Sequence, residues 1–174
     1  FGRPRYRMPP RSETAARLVE LVRETLQQGA TPVIHAYPLG KSQEATRLLT
    51  AAGVGVLQHP AVFAVSERYR QCGVELGDVR LSDSRLLAGR AVITLPQGSR
   101  QFRLAGITRP VTIALTGWAI APSTKYRWGV DHALPLSDHA DYDELLEAVE
   151  RVGAAQVYCT QGPEEFVGRL QALG

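Results

Sequence analysis

The chain has 174 residues, of which 44% are hydrophobic and 21% are charged. No apolar run approaches the roughly 20 residues of a membrane-spanning helix, so we expect a globular cytoplasmic protein with no membrane partner. The net charge of +3 conceals an uneven division, because residues 1–130 hold 18 basic and 8 acidic side chains, whereas residues 131–174 hold 2 and 9. The arginine-rich longer part suits phosphate contacts, although an ordinary solvated surface explains it equally well.

The first half of the chain alternates helices with strands. Residues 1–11 contain four Arg and three Pro, so we expect an extended segment there, and Ser12 is suited to cap the helix that follows. The spacing of apolar residues predicts helices over 13–28, 43–52 and 61–72, and strands over 31–37 and 54–58. This alternation predicts an α/β fold, in which helices flank a mostly parallel sheet.

The second half is less regular. Strands are predicted over 90–96, 111–118 and 155–160, and helices over 140–152 and 164–173, while residues 121–136 suggest a hairpin or an irregular excursion. Most of the remaining stretch between 74 and 110 is expected to form loops. Cys72 and Cys159 lack the paired spacing of a zinc or redox site, so we expect buried free thiols.

The segment "LGKS", residues 39–42, invites comparison with nucleotide-binding loops. That pattern requires a second glycine at position 35, where this chain has His35, so ATP or GTP hydrolysis is excluded. Lys41 and Ser42 then stand at a helix N-terminus that can meet either a phosphate or water. Within its apolar strand, His35 itself is expected to be a hydrogen-bonded core residue.

The segment "PLSDHADYDELLEAVE", residues 135–150, places His139 between Asp138 and Asp141. Acidic residues at this position are typical of a helix cap. A short strand precedes the helix and the strand over 155–160 follows it, so His139 and Gln161 would both lie beyond the carboxyl ends of strands. Ligands commonly bind at such ends, which leaves a cap and a binding site both open.

These segments together resemble the metallo-β-lactamase-fold nucleases of the β-CASP group, most closely the bacterial exonucleases associated with DNA ligases. The likeness covers nearly the whole chain. "PVIHAYPLGKSQEATRLL" is similar to the first strand-helix step of the β-CASP domain, "ALTGW" to its Ser/Thr-Gly-Trp loop, and "RWGVDHALPLSDHAD" to the return into the metallo-β-lactamase fold. The resemblance implies a β-CASP-like domain over 1–135 and a returning segment of a metallo-β-lactamase-like domain over 136–174.

The resemblance also implies a function, cleavage of phosphodiester bonds in DNA or RNA during repair or RNA processing, with two zinc ions as cofactors. His139 matches the residue that protonates the leaving oxygen, and Asp138 and Asp141 would orient its imidazole or keep it protonated. The implied contacts to nucleic acid are Lys41, Ser42, Thr116, Gly117, Trp118 and Arg127.

Two departures from the family pattern limit this expectation. The His-x-His-x-Asp-His zinc motif is absent, and Gln161 stands where the family usually has a metal-binding histidine. We therefore expect the chain to be inactive alone and to need an N-terminal metallo-β-lactamase region as a partner, with a DNA ligase or another repair protein as a further candidate partner. The alternative is a non-catalytic protein that binds nucleic acid or a partner on a decayed nuclease scaffold.

Overall fold

One parallel sheet organises the chain. The computed structural model describes residues 2–96, 106–160 and 162–173. The strands are β1 (Thr31–His35), β2 (Gly55–Gln58), β3 (Val79–Leu81), β4 (Arg90–Thr94), β5 (Pro110–Leu115) and β6 (His132–Leu134). Their order is β3-β2-β4-β1-β5-β6, and every neighbouring pair is parallel. The predicted α/β fold with a mostly parallel sheet is confirmed.

Helices flank this sheet. They are α1 (Arg11–Gln27), α2 (Lys41–Ala51), α3 (Pro60–Gln71), α4 (Thr124–Trp128), α5 (Tyr142–Val152) and α6 (Glu164–Leu173), with short 3-10 helices at Ser84–Leu86 and Gly117–Ile120. Over the described part of the chain, no helix combines the length and apolar character that crossing a membrane requires.

The core lies between the sheet and the first three helices. Ile34 of β1 is in register with Ile93 of β4 and with Ile113 of β5, and all three side chains are fully buried. They share one hydrophobic cluster with residues of α1, α2 and α3. Leu136 belongs to the same cluster, although it lies just after the domain boundary predicted between residues 135 and 136. That boundary stays a prediction.

Four helices begin at other residues than expected, and the smallest difference is that of α3, which begins at Pro60, one residue early. α1 begins at Arg11, before the predicted cap Ser12, because Pro10 fits immediately before a helix, where its missing N–H is not needed. α2 begins at Lys41 instead of residue 43, since Gly40 reverses the chain with a φ of +78°. α5 begins at Tyr142 rather than at residue 140, and of the two acidic residues expected at this cap, Asp141 is the one that caps the helix.

The irregular regions contain more structure than predicted. Residues 121–136 do not form a hairpin, because β6 pairs with β5 in the parallel sense, and a parallel pair needs a crossover connection. The crossover includes the 3-10 helix at Gly117–Ile120 and α4. β3 lies in a stretch where loops were predicted. With three residues each, β3 and β6 are too short to produce a clear alternation.

The prediction of a strand over 155–160 is wrong. Residues 154–160 contain no strand, and all of them are exposed. A strand needs a neighbour to satisfy its backbone hydrogen bonds, and the described sheet ends at β6. The prediction of buried thiols is also wrong, because Cys159 lies in this exposed segment and Cys72 lies in the exposed turn after α3.

Candidate functional site

The polar segments singled out in the sequence meet at one edge of the sheet. Because all strands are parallel, the loops after β1, β5 and β6 leave from the same, carboxyl edge. The N–H of Thr116, after β5, donates to the carbonyl of Leu134 at the end of β6 at 3.1 Å. In the loop after β1, a Cβ on Gly40 would lie 3.6 Å from the carboxylate of Asp138. The loops after β1 and β5 therefore both contact β6 or the loop that follows it.

The turn that carries His139 is fixed by hydrogen bonds on both sides. The hydroxyl of Ser137, a buried residue, accepts from the N–H of His139 at 3.1 Å. The carbonyl of Ser137 accepts from the guanidinium of Arg11 at 2.9 Å, and Arg11 also forms an ion pair with Glu44 of α2. The side chain of His139 remains exposed. The backbone of the turn is thus held in place while its imidazole faces the surface.

Asp141 is the cap of α5. Its Oδ1 accepts from the N–H of Glu144 at 3.0 Å, and the Glu144 carboxylate accepts from the N–H of Asp141 at 2.8 Å, which completes a capping box. Its Oδ2 accepts from the N–H of Met8 at 2.7 Å. Asp141 is only 7% exposed. Both carboxylate oxygens therefore hold backbone groups around the turn, so any effect on His139 acts through the position of that turn.

Asp138 pairs with Lys41. The ammonium Nζ of Lys41 lies 3.6 Å from Oδ2 of Asp138 and 5.3 Å from the centroid of the Tyr37 ring. The Lys41 side chain is only 5% exposed, whereas that of Asp138 is 41% exposed. A buried ammonium needs an opposite charge nearby, and Asp138 provides it. This pair ties the loop after β1 to the turn that carries His139.

Ser42 is also directed into the protein. Its hydroxyl donates to the carbonyl of Tyr37 at 2.6 Å, and the residue is fully buried. Lys41 and Ser42 thus both have partners inside the protein. Their contact with a phosphate stays a prediction.

In the loop after β5, one of the three predicted contact residues reaches the surface. Thr116 caps the 3-10 helix, with its hydroxyl accepting from the N–H of Trp118 at 3.3 Å, and both Thr116 and Gly117 are buried. Trp118 is 51% exposed. Arg127, on α4 just beyond this loop, is exposed as well.

The N-terminal segment forms one wall of the site, a feature missed at the sequence level. Besides the bond from Met8 to Asp141, the carbonyl of Tyr6 accepts from the N–H of Tyr142 at 3.0 Å, and Arg7 forms a 2.7 Å ion pair with Asp143. A cleft of about 860 Å³ lies between residues 8–11, the turn at 135–141 and α5. The opposite charges of residues 1–130 and 131–174 were a signal for this contact.

No metal site is assembled by the part of the chain that the structure describes. Its residues include no group of three or more His, Cys, Asp or Glu side chains arranged to hold an ion. Gln161, at the position where the resemblance implies a metal ligand, lies outside the described residues. Among the described residues no complete ligand set for a metal ion is present, and zinc as a cofactor stays a prediction.

His35 is a core residue, as predicted. It is 9% exposed, and its Nδ1 donates to the carbonyl of Leu95 at 3.0 Å. Burial lowers the pKa of its imidazole below the usual 6.5, because the charged form loses its hydration. The prediction of a hydrogen-bonded histidine within the strand is confirmed.

Comparison with known proteins gives one informative similarity. No protein-family model matches the chain. A probable DNA ligase from Opitutus terrae (strain DSM 11246 / JCM 15787 / PB90-1) is 35% identical over 175 residues, which cover the whole chain and 17% of that protein. The chain is related to one region of that probable DNA ligase. It spans less than a fifth of the length of this curated relative.

Proposed function

We propose that this chain is the nucleic-acid-binding and proton-donating part of a metal-dependent phosphodiesterase of the β-CASP type, acting on DNA in a repair setting. The observation that carries the proposal is that the loops after β1 and β5 both contact β6 or the loop that follows it, which holds the exposed His139 on a fixed turn. The similarity to a region of a probable DNA ligase supports DNA, rather than RNA, as the substrate.

His139 is the proton donor in this proposal. An imidazole holds and releases a proton near neutral pH, and its exposure lets it reach the oxygen that leaves a cleaved phosphodiester. Ser137 and Asp141 act as positioning residues, since they bind backbone groups of the turn and of α5. The Lys41–Asp138 pair keeps the loop after β1 against the same turn.

Zinc would be held by histidines outside this chain, in the N-terminal metallo-β-lactamase region that the resemblance implies. The C-terminal part offers a surface for that region. Val152 of α5 is 75% exposed, and Val157 and Tyr158 are 43% and 79% exposed. Apolar side chains exposed in this number are typical of a face that another domain covers. We propose that this face packs against the N-terminal region.

The test uses a longer protein in which such an N-terminal region precedes this chain. Cleavage of labelled DNA is measured with and without added zinc. Changing His139 to Ala should lower the cleavage rate by about 10²- to 10⁴-fold, the usual contribution of a general acid. His132→Ala is the matched control, because His132 begins β6 at the opposite edge of the sheet. An unchanged rate in His139→Ala would remove this residue from the mechanism.

A second variant, Gln161→His, tests how the site differs from the family pattern. If this change creates or raises zinc-dependent cleavage, the glutamine marks a decayed metal site. Loss of an existing activity shows instead that the glutamine is adapted to the reaction. DNA binding without cleavage under any divalent metal would favour the alternative, a binding protein on a nuclease scaffold.

A further inference from the structure

A small polar cluster is buried where α2, β2 and α3 meet. It consists of Gln43 and Thr46 of α2, Gln58 at the end of β2 and Ser66 of α3, and each of the four is at most 1% exposed. The same three elements also contribute apolar side chains to the hydrophobic core. We call these four residues the polar junction. Polar groups in such a place need hydrogen-bond partners, because bulk water does not reach them.

The amide nitrogens of the two glutamines have partners within the protein. Nε2 of Gln43 donates to the carbonyl of Pro38 at 3.0 Å and to the hydroxyl of Ser66 at 3.1 Å. Nε2 of Gln58 donates to the hydroxyl of Thr46 at 2.7 Å. Because Gln43 and Thr46 lie three residues apart on α2, both glutamines pack against the same side of that helix.

The amide oxygens of the same glutamines lack partners. Oε1 of Gln43 and Oε1 of Gln58 are buried, and no described residue donates a hydrogen bond to either. Exchanging oxygen and nitrogen would not help. The Pro38 carbonyl can only accept, and the Thr46 hydroxyl already donates its one hydrogen to the carbonyl of Ser42 at 2.7 Å. Both nitrogens are therefore fixed by their acceptors, and the unpartnered atoms are the two oxygens.

Two buried acceptors select the chemistry of a ligand. The ligand has to donate hydrogen bonds, because an acceptor buried without a donor costs free energy. It has to be small, since the four side chains are closed to solvent. It also has to be uncharged, because a buried cation needs an opposite charge nearby. Among the described residues the one buried carboxylate is that of Asp141, and it caps α5 instead.

We propose that the polar junction binds ordered internal water, which donates hydrogen bonds to Oε1 of Gln43 and to Oε1 of Gln58. Water is the ligand with which proteins commonly satisfy such buried groups. It completes a hydrogen-bonded layer behind the loop after β1, whose Pro38 carbonyl accepts from the same Gln43 side chain. This binding site is independent of the proposed function, because it requires neither zinc nor nucleic acid.

The first experiment is a crystal structure of the 174-residue chain at a resolution that shows ordered water. Each of the two oxygens should have a water oxygen within about 3.2 Å, the usual limit of a hydrogen bond. Crystals grown in rubidium chloride distinguish water from a monovalent cation by anomalous scattering. A rubidium peak at the junction overturns the proposal. Oxygens bonded to protein donors, or a junction without water, overturn it as well.

A second experiment observes the water in solution by NMR. Cross-relaxation from water to the side-chain amide protons is measured in the 15N-labelled chain. Gln43 and Gln58 should give cross-peaks with the sign produced by long-lived internal water. Gln27 is the matched control, because it is an exposed glutamine at the end of α1 and should show only the signature of rapidly exchanging surface water. Equal behaviour of all three glutamines contradicts the proposal.

A variant tests which side chain holds the water. Gln58→Met removes one acceptor and keeps a side chain of similar length. Magnetic relaxation dispersion of the water oxygen, which counts long-lived waters, should fall in this variant and stay unchanged in Gln27→Met. An undiminished count in folded Gln58→Met overturns the role of Gln58. If this variant does not fold, the crystal structure and the NMR measurement of the unaltered chain still decide the proposal.

Discussion

The sheet and the C-terminal part, from α5 to α6, differ in how far their apolar side chains are buried. Within the sheet, Ile34, Ile93 and Ile113 are fully buried against helices of the same chain. In α5 and the segment after it, Val152 and Tyr158 are largely exposed, and α6 has no buried residue among those described. The sheet therefore completes its own core. The C-terminal part is attached through Asp141 and Tyr142, and Phe166 of α6 packs edge to face on Tyr142. Its exposed apolar side chains fit the docking face that we propose for another domain.

This difference predicts where stability lies. The change Ile93→Ala removes a fully buried side chain from the middle of the sheet, so it should lower the free energy of unfolding by about 2–5 kcal/mol. Val152→Ala, on the exposed face of α5, should change it by less than about 0.5 kcal/mol. Chemical denaturation compares the two variants. Equal losses would contradict the division into a self-contained sheet and a docking face.

The attachment between the two parts depends on Asp141. Asp141→Ala removes the cap of α5 and leaves the N–H of Met8 without its acceptor, which should cost about 2–3 kcal/mol. Limited proteolysis should then cut at α5 before the sheet is lost. Asp141→Asn should have a smaller effect, because the asparagine side chain retains one oxygen that can accept a hydrogen bond. Wild-type resistance to protease in Asp141→Ala would mean that other contacts hold α5.

The Lys41–Asp138 pair is a second link between the two parts. Removing one partner should lower the free energy of unfolding more than removing the other. Asp138→Ala leaves an ammonium that is 5% exposed without its counter-charge, and should cost about 1–2 kcal/mol. Lys41→Met leaves a carboxylate that is 41% exposed and can be hydrated, so its cost should be about 1 kcal/mol or less. Denaturation of both single variants and of the double variant measures the coupling. A larger loss in Lys41→Met, which keeps an apolar side chain of similar length, would show that the ammonium makes further stabilising contacts, such as the one with the Tyr37 ring.

The smallest expected effect is on the pH dependence of the unfolding free energy, and it comes from His35 of β1. Burial lowers the pKa of His35 in the folded state, so the unfolded chain binds a proton first as the pH falls below about 6.5. This group therefore destabilises the fold progressively below that pH and has no such effect above it. Between pH 7 and pH 5, His35→Gln should lose less unfolding free energy than the wild type. Parallel pH profiles would contradict this assignment.

Much of the fold was predictable because it depends on local patterns. The helices over the first half and the strands at 31–35, 55–58, 90–94 and 110–115 follow from apolar spacing and glycine stops. The prediction of a strand over 155–160 was wrong because a strand needs a partner in the tertiary structure. "AQVYCT" has the composition of a strand, but the part of the chain that the structure describes contains no strand that pairs with it. Composition indicates what a segment can form, and pairing decides whether it does.

The candidate site divides in the same way. The sequence by itself determined a parallel α/β sheet, the helix-starting turns and the local chemistry of "SDHAD", since these depend on neighbouring residues. Only the tertiary structure decided that Lys41 is buried against Asp138, that Met8 shares Asp141 with the cap of α5, and that Tyr6 meets Trp118. These contacts join residues far apart in the chain. They form because the parallel strands bring their carboxyl-end loops to one edge, and charge and burial then select the partners there.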